Sequence, residues 1–156
     1  MLKLEANWEF VADTVMGGVS NGQIATQVVD GRSATRLTGM VSLENNGGFI
    51  QMATDLKQDG SALVASNWDG IEIDICGNDE IYDLRIRTDD LNRPWHSFRA
   101  PFRATAQWKI VQFPFAVFEP HRTDQGFDPA KLRRIGIVAV GRVFQADIAV
   151  SGVRLF

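Results

Sequence analysis

The chain has 156 residues, 45% of them apolar, 22% charged and 10% aromatic, a balance that supports a globular core and excludes a disordered chain. Sixteen Lys and Arg against nineteen Asp and Glu leave a net charge of -3, which offers no general attraction to nucleic acid or to an anionic membrane. Cys76 stands alone, which excludes an internal disulfide and a cysteine-built zinc or iron–sulfur centre; a single domain over residues 1–156 is long enough to need neither. The opening Met1 to Asn7 lacks the apolar stretch of a signal peptide, and no apolar run approaches a membrane span. The expectation is a cytoplasmic protein without membrane insertion.

In chain order, Asn21-Gly22, Asp30-Gly31, Asn46-Gly47, Asp59-Gly60 and Asp69-Gly70 carry the chemistry of tight turns with positive φ. The segments between them are short and rich in β-branched and aromatic residues. They predict strands over 24–29, 34–43, 49–53, 71–76, 81–88, 97–102, 108–113, 134–140 and 146–155. Helical spacing is nowhere sustained. Asp128 as N-cap with Pro129 behind it predicts one or two helical turns over 130–133. Strands of this length and spacing predict a β-sandwich.

The middle of the chain alternates sharply. Ile71, Ile73 and Ile75 interleave with Glu72, Asp74 and Cys76, and Tyr82, Leu84 and Ile86 interleave with Asp83, Arg85 and Arg87. With residues 77–80 read as a four-residue hairpin loop, the apolar residues share one face and Glu72 lies opposite Arg85. In the next strand Phe98, Ala100 and Phe102 face the core, while Ser97, Arg99 and Arg103 face away, with Arg99 beside Arg85. The outcome is a sheet face bearing Arg85, Arg87 and Arg99. It serves either as cross-strand ion pairing on a solvated surface or as a recognition face for an anion or a partner.

Catalytic patterns fail on context. Gly18-Val19-Ser20-Asn21-Gly22 fits a nucleophile elbow, which needs a helix after the serine, whereas a strand follows here. Gly17 and Gly22 have the spacing of a phosphate loop without its Lys and Ser or Thr. His96 and His121 lie 25 residues apart with no ligand motif around either. No catalytic group, metal or cofactor is predicted. Trp8, Trp68, Trp95 and Trp108 offer rings for stacking on a sugar; Trp68 and Trp95 sit beside turns, and Trp108 reads as core.

The segment Phe10 to Ser20, with its Asp-Thr-Val-Met-Gly-Gly-Val-Ser stretch, is followed by Gly39-Met40-Val41-Ser42-Leu43 and then Asn46-Gly47-Gly48-Phe49. Together they resemble the complex I intermediate-associated protein family; Asp69-Gly70-Ile71, the strand at 82–88 and the stretch 108–118 fit as well. Ala12 and Leu37 depart from the residues common in that family at those places. The resemblance implies a jelly-roll β-sandwich like galactose-binding domains and, as for the founding mitochondrial members, a role as an assembly factor; it implies no established catalytic activity. It implies a protein partner, with respiratory complex subunits as one class; a carbohydrate or other small ligand is the second reading. The binding residues expected on this basis are Asp13, Met16, Gly17, Gly18, Ser20, Gly47, Gly48 and Phe49, joined by Arg85, Arg87 and Arg99. Asp13 is expected to bond the exposed N–H groups of the double-glycine turn. That turn is either a loop locked into the sandwich end or a recognition site.

Overall fold

The computed structural model describes residues 1–156. Twelve strands follow in chain order: β1 (Leu2–Leu4), β2 (Glu9–Ala12), β3 (Asn21–Val29), β4 (Arg32–Val41), β5 (Phe49–Asp55), β6 (Gly70–Cys76), β7 (Ile81–Thr88), β8 (Ser97–Arg103), β9 (Lys109–Pro114), β10 (Glu119–His121), β11 (Leu132–Val140) and β12 (Phe144–Leu155). They form two antiparallel sheets. The first runs β3-β4-β12-β6-β9, with β1 also on β12, and the second runs β10-β8-β7-β11-β5-β2. The two layers pack face to face as a jelly-roll β-sandwich.

All nine strands read from the sequence are present, that over 81–88 with the same ends and the others with one or both ends shifted, and β1, β2 and β10 are additional. Those three have only three or four residues each, too few for a period of two to show. Asp128 Oδ1 accepts the Ala130 N–H at 2.9 Å and opens a single 3₁₀ turn, Pro129–Lys131. The helical segments are all 3₁₀ turns of three or four residues, and no helix is long and apolar enough to cross a membrane.

The core lies between the sheets. Ile71, Ile73 and Ile75 enter it from β6, and Tyr82, Leu84 and Ile86 from β7, all fully buried. Their alternation is as expected, but the hairpin is not: β6 pairs with β9 and β12, whereas β7 pairs with β8 and β11. Residues 77–80 carry the chain from one sheet to the other. Gly77 N donates to Thr105 O and Asp79 N to Ala104 O, so this loop bonds to the chain beyond β8. Glu72 therefore does not face Arg85; it pairs with Arg154 of β12 and accepts a hydrogen bond from Gln112 of β9 at 2.9 Å. Period-two patterning reports which face is inside, and two apolar faces opposed across a core satisfy it as well as two neighbours in one sheet.

Asp30-Gly31 is the tight β3–β4 turn, with φ of 44° and 80°. Asn21-Gly22 is not a turn. It lies within β3, where Gly22 faces Gly39 of β4, and a Cβ on Gly22 would meet Thr38 O at 2.5 Å. Glycine there permits close strand approach instead of a reversal.

Candidate functional site

The double-glycine segments meet at Asp13. β2 ends in the 3₁₀ turn Asp13–Met16, which Gly17 closes with a left-handed φ of 88°. This geometry buries the Asp13 carboxylate completely. Its Oδ1 accepts the Ser20 N–H at 3.0 Å; its Oδ2 accepts the Ser20 hydroxyl at 2.5 Å, the Gly48 N–H at 2.6 Å and the Phe49 N–H at 3.2 Å. Ser20 Oγ in turn accepts the Ser42 N–H at 2.8 Å. One carboxylate thus ties together the β2–β3 loop and the chain leading into β5. Burial pushes its pKa up, but the Ser20 hydroxyl and three backbone N–H groups outweigh that and hold it below the ordinary carboxylate value. A Cβ on Gly18 or Gly47 would collide with this carboxylate, so both glycines are required by packing.

Asp13, Gly18, Ser20 and Gly48 are buried, and their polar groups are engaged in the lock. The lock presents other residues. Val15, Met16 and Leu43 project as an apolar lip and are 75%, 60% and 48% exposed. Ser20 has no imidazole among its hydrogen-bond partners.

The lip borders a cleft of about 1000 Å³ on the outer face of the β10-β8-β7-β11-β5-β2 sheet. Strand register arranges this sheet face in rows, of which Asp55, Glu119, Arg99 and Asp83 lie outside the cleft lining. Arg134 lies between Arg87 and Asp55; on the other side of Arg87, Ser97 follows the Ile86–Phe98 pair at the next position, and His121 is opposite Ser97. The next row holds Glu119, Arg99, Arg85, Gly136 and Ala53. Asp83, Val138, Gln51 and Val11 form the third. Gly136 and Ala53 leave the middle of the floor low. Phe49 and the lip stand at one end of the strands, and Pro94 and Trp95, just before β8, at the other.

Arg85 and Arg99 face each other in register, as the alternation implies, and share one carboxylate. Asp83 Oδ2 accepts from Arg85 at 3.0 and 3.2 Å, and Asp83 accepts from Arg99 at 2.9 and 3.0 Å. Two guanidiniums against one carboxylate leave a positive charge. Arg134 is matched by Glu9 and Asp55. Arg87 faces no carboxylate within ion-pair distance; its one side-chain hydrogen bond runs from Nη1 to Pro94 O at 3.4 Å, and its Nε is buried without a partner. Burial lowers its affinity for the proton, and Arg134 and Arg133 lower it further. His121 is also pushed down, by burial and then by Arg85, Arg122 and Arg99, which favours its neutral form. On the opposite sheet Glu72 and Asp74 both pair with Arg154, which leaves that cluster a negative charge.

The four tryptophans do not form a platform. Trp8 and Trp68 pack against the core, Trp95 is on the cleft, and Trp108, read as core, is half-buried at a sheet end, where its Nε1 donates to Val29 O at 2.8 Å beneath Arg32. Ser97, His121, Val15, Leu43 and Gly136 were not legible as site residues. Ser97 carries a signal only through strand alternation, which sets it on the face of Arg99; Val15 and Leu43 lie within the family-like segments without being singled out there, and nothing marks His121 or Gly136.

Residues 3–148 match the family model for complex I intermediate-associated protein 30, nearly the full chain. The chain belongs to this family. No curated protein sequence matches it. The fold of this complex I intermediate-associated domain is that of solved carbohydrate-binding modules. The family 11 module of a cellulosomal cellulase of Clostridium thermocellum superposes with a TM-score of 0.79 at 13% identity, over 100% of this chain and 94% of that one. The family 11 module of that organism in complex with a β-1,3-1,4-mixed-linked tetrasaccharide gives 0.76 at 12% identity, over 100% and 96%. A family 30 module of a cellulosomal cellulase of Clostridium thermocellum gives 0.66 at 14%, over 99% and 91%. At such identities the likeness establishes the shared sandwich.

Proposed function

We propose that this chain is a non-catalytic, assembly-factor-like domain that holds a segment of a protein partner in the cleft of its second sheet. The observation that carries the reading is the composition of that cleft. An exposed apolar lip of Val15, Met16 and Leu43 stands beside an arginine-rich floor with a low centre at Gly136. Apolar anchors beside guanidinium groups suit a polypeptide, since Arg and buried apolar contacts dominate protein interfaces. Membership of the family supports an assembly role, with respiratory complex subunits as the partner class. The second reading, carbohydrate binding, draws on the fold shared with modules such as the one solved with a tetrasaccharide and on Trp95 at the cleft. A neutral sugar prefers flat rings over a surplus of charge.

Gly136→Val tests this. A Cβ there meets only the flexible end of Gln51 at 2.8 Å and ordinary neighbours beyond 3.5 Å, so the side chain fills the floor while the strand stands. A photo-cross-linker at Met16 in cells should join a defined protein in the native chain and lose it in Gly136→Val. Glycan-array binding abolished by Gly136→Val, with cross-links indifferent to it, overturns the proposal in favour of the sugar.

A further inference from the structure

Of the buried side-chain polar atoms without a partner, Arg87 Nε and Ser97 Oγ belong to residues lining the same cleft; the remaining one, on Thr88, does not. Ser97 is only 5% exposed. Buried polar groups are nearly always satisfied, so two neighbouring orphans in one cleft call for a partner from outside the chain. Both atoms belong to donors. Arg87 offers a planar fork with no carboxylate against it, and Ser97 offers a hydroxyl one strand away at the next register position. Arg134 beside Arg87 is already matched by Asp55 and Glu9, and Arg85 and Arg99 are held by Asp83. Arg122 also lines the cleft without a carboxylate partner, but the cleft's buried unfilled donors are those of Arg87 and Ser97.

We infer that Arg87 and Ser97 form a carboxylate receptor, and that the partner segment in the cleft is an acidic peptide whose carboxylate docks there, at the Trp95 end, while apolar residues farther along the segment rest on the lip at the other end. The inference rests on the cleft reading above and adds the chemistry of the occupant. A planar carboxylate matches the guanidinium fork and accepts the Ser97 hydroxyl, and the unpaired charge of Arg87 is the attraction that steers it. The carboxylate comes from a glutamate or aspartate side chain or from a chain terminus; both present the same two oxygens.

NMR titration of the full chain, following Arg87 Nε–H and the Ser97 amide, separates these. The probes are acetyl-Leu-Glu-Val-amide, acetyl-Leu-Gln-Val-amide, acetyl-Leu-Gln-Val with a free carboxylate, and an oligoglucuronate. Expected are saturable shifts with at least one carboxylate-bearing peptide and none with the doubly neutral one; whichever acidic peptide binds identifies the source. Ser97→Ala should weaken binding about tenfold, the loss of one hydrogen bond to a charged group, and Arg87→Met by more than tenfold. Arg103→Met, outside the cleft, should leave it unchanged. Because Ser97 Oγ makes no hydrogen bond in the free protein, Ser97→Ala should melt no lower than the native chain. A merely structural serine would lower the melting temperature and leave binding alone, which overturns the inference. Equal shifts from the Glu and Gln peptides, both lost in Gly136→Val, refute the carboxylate receptor and leave the protein-binding cleft standing. Oligoglucuronate binding without peptide binding refutes the acidic peptide. Silence from every probe refutes the receptor, and Met16 cross-linking then decides the cleft reading on its own.

Discussion

Replacing Asp13 with Ala removes an acceptor that takes four hydrogen bonds from two chain segments. The Ser20 hydroxyl can turn to Ser42 O at 3.1 Å, and the half-buried Phe49 amide lies nearer to water. The Ser20 and Gly48 amides have neither option, because both residues are buried. Stranding two donors that had a charged acceptor costs about 4–5 kcal/mol, and relief from burying the carboxylate returns about 1–2, for a net loss of about 3 kcal/mol. For a chain of this size that corresponds to a fall of about 6–12 °C in Tm. Calorimetry and urea melts measure the loss, and hydrogen exchange at the Ser20, Gly48 and Phe49 amides locates it. A variant that melts within about 2 °C of the native chain, with those amides still protected, refutes the lock.

Gly47→Ala drives a Cβ to 2.5 Å from Asp13 Oδ2 and should destabilise by about 1–3 kcal/mol in urea melts, whereas Gly126→Ala, with open space around it, should change little. Because the folded pKa of Asp13 lies below its ordinary 3.8, its contribution is complete above that pH and fades as the pH falls through the folded value; Asp13→Ala should flatten this acid limb. His121 is depressed below 6.5, so the fold favours its neutral form and loses stability as the pH drops from 6.5 through the folded value; His121→Gln should abolish that slope in melts between pH 5 and 7. Asp83→Asn leaves Arg85 and Arg99 facing each other with no carboxylate between them. With both guanidiniums partly solvated, the loss should be about 1–3 kcal/mol, read by urea denaturation.

Layering was legible because apolar alternation in 71–76 and 81–88 reflects burial, which every strand of a sandwich must satisfy. Pairing was not, since the pattern is blind to whether the next apolar face lies alongside or across the core; Glu72 found Arg154, 82 residues away. The outward set of Arg85, Arg87 and Arg99 followed from the same alternation. Its division into a shared-carboxylate pair and a lone guanidinium depended on Asp83, an acidic residue no motif would single out. The double-glycine segments announced close packing, yet their meeting at Asp13 joins positions 35 apart, and only three dimensions reveal that the aspartate is enclosed while Val15 and Met16 face outward.

The Asp13 clamp also bears on the thermodynamics of association. A loop tip carrying apolar side chains ordinarily forfeits conformational freedom when it docks, and that forfeiture subtracts from affinity. Here the turn that carries Val15 and Met16 is already tied down at Asp13 by folding. Docking on this tip begins from a preorganised surface, so loosening the clamp should shorten the lifetime of a complex even where every contacting side chain is left in place.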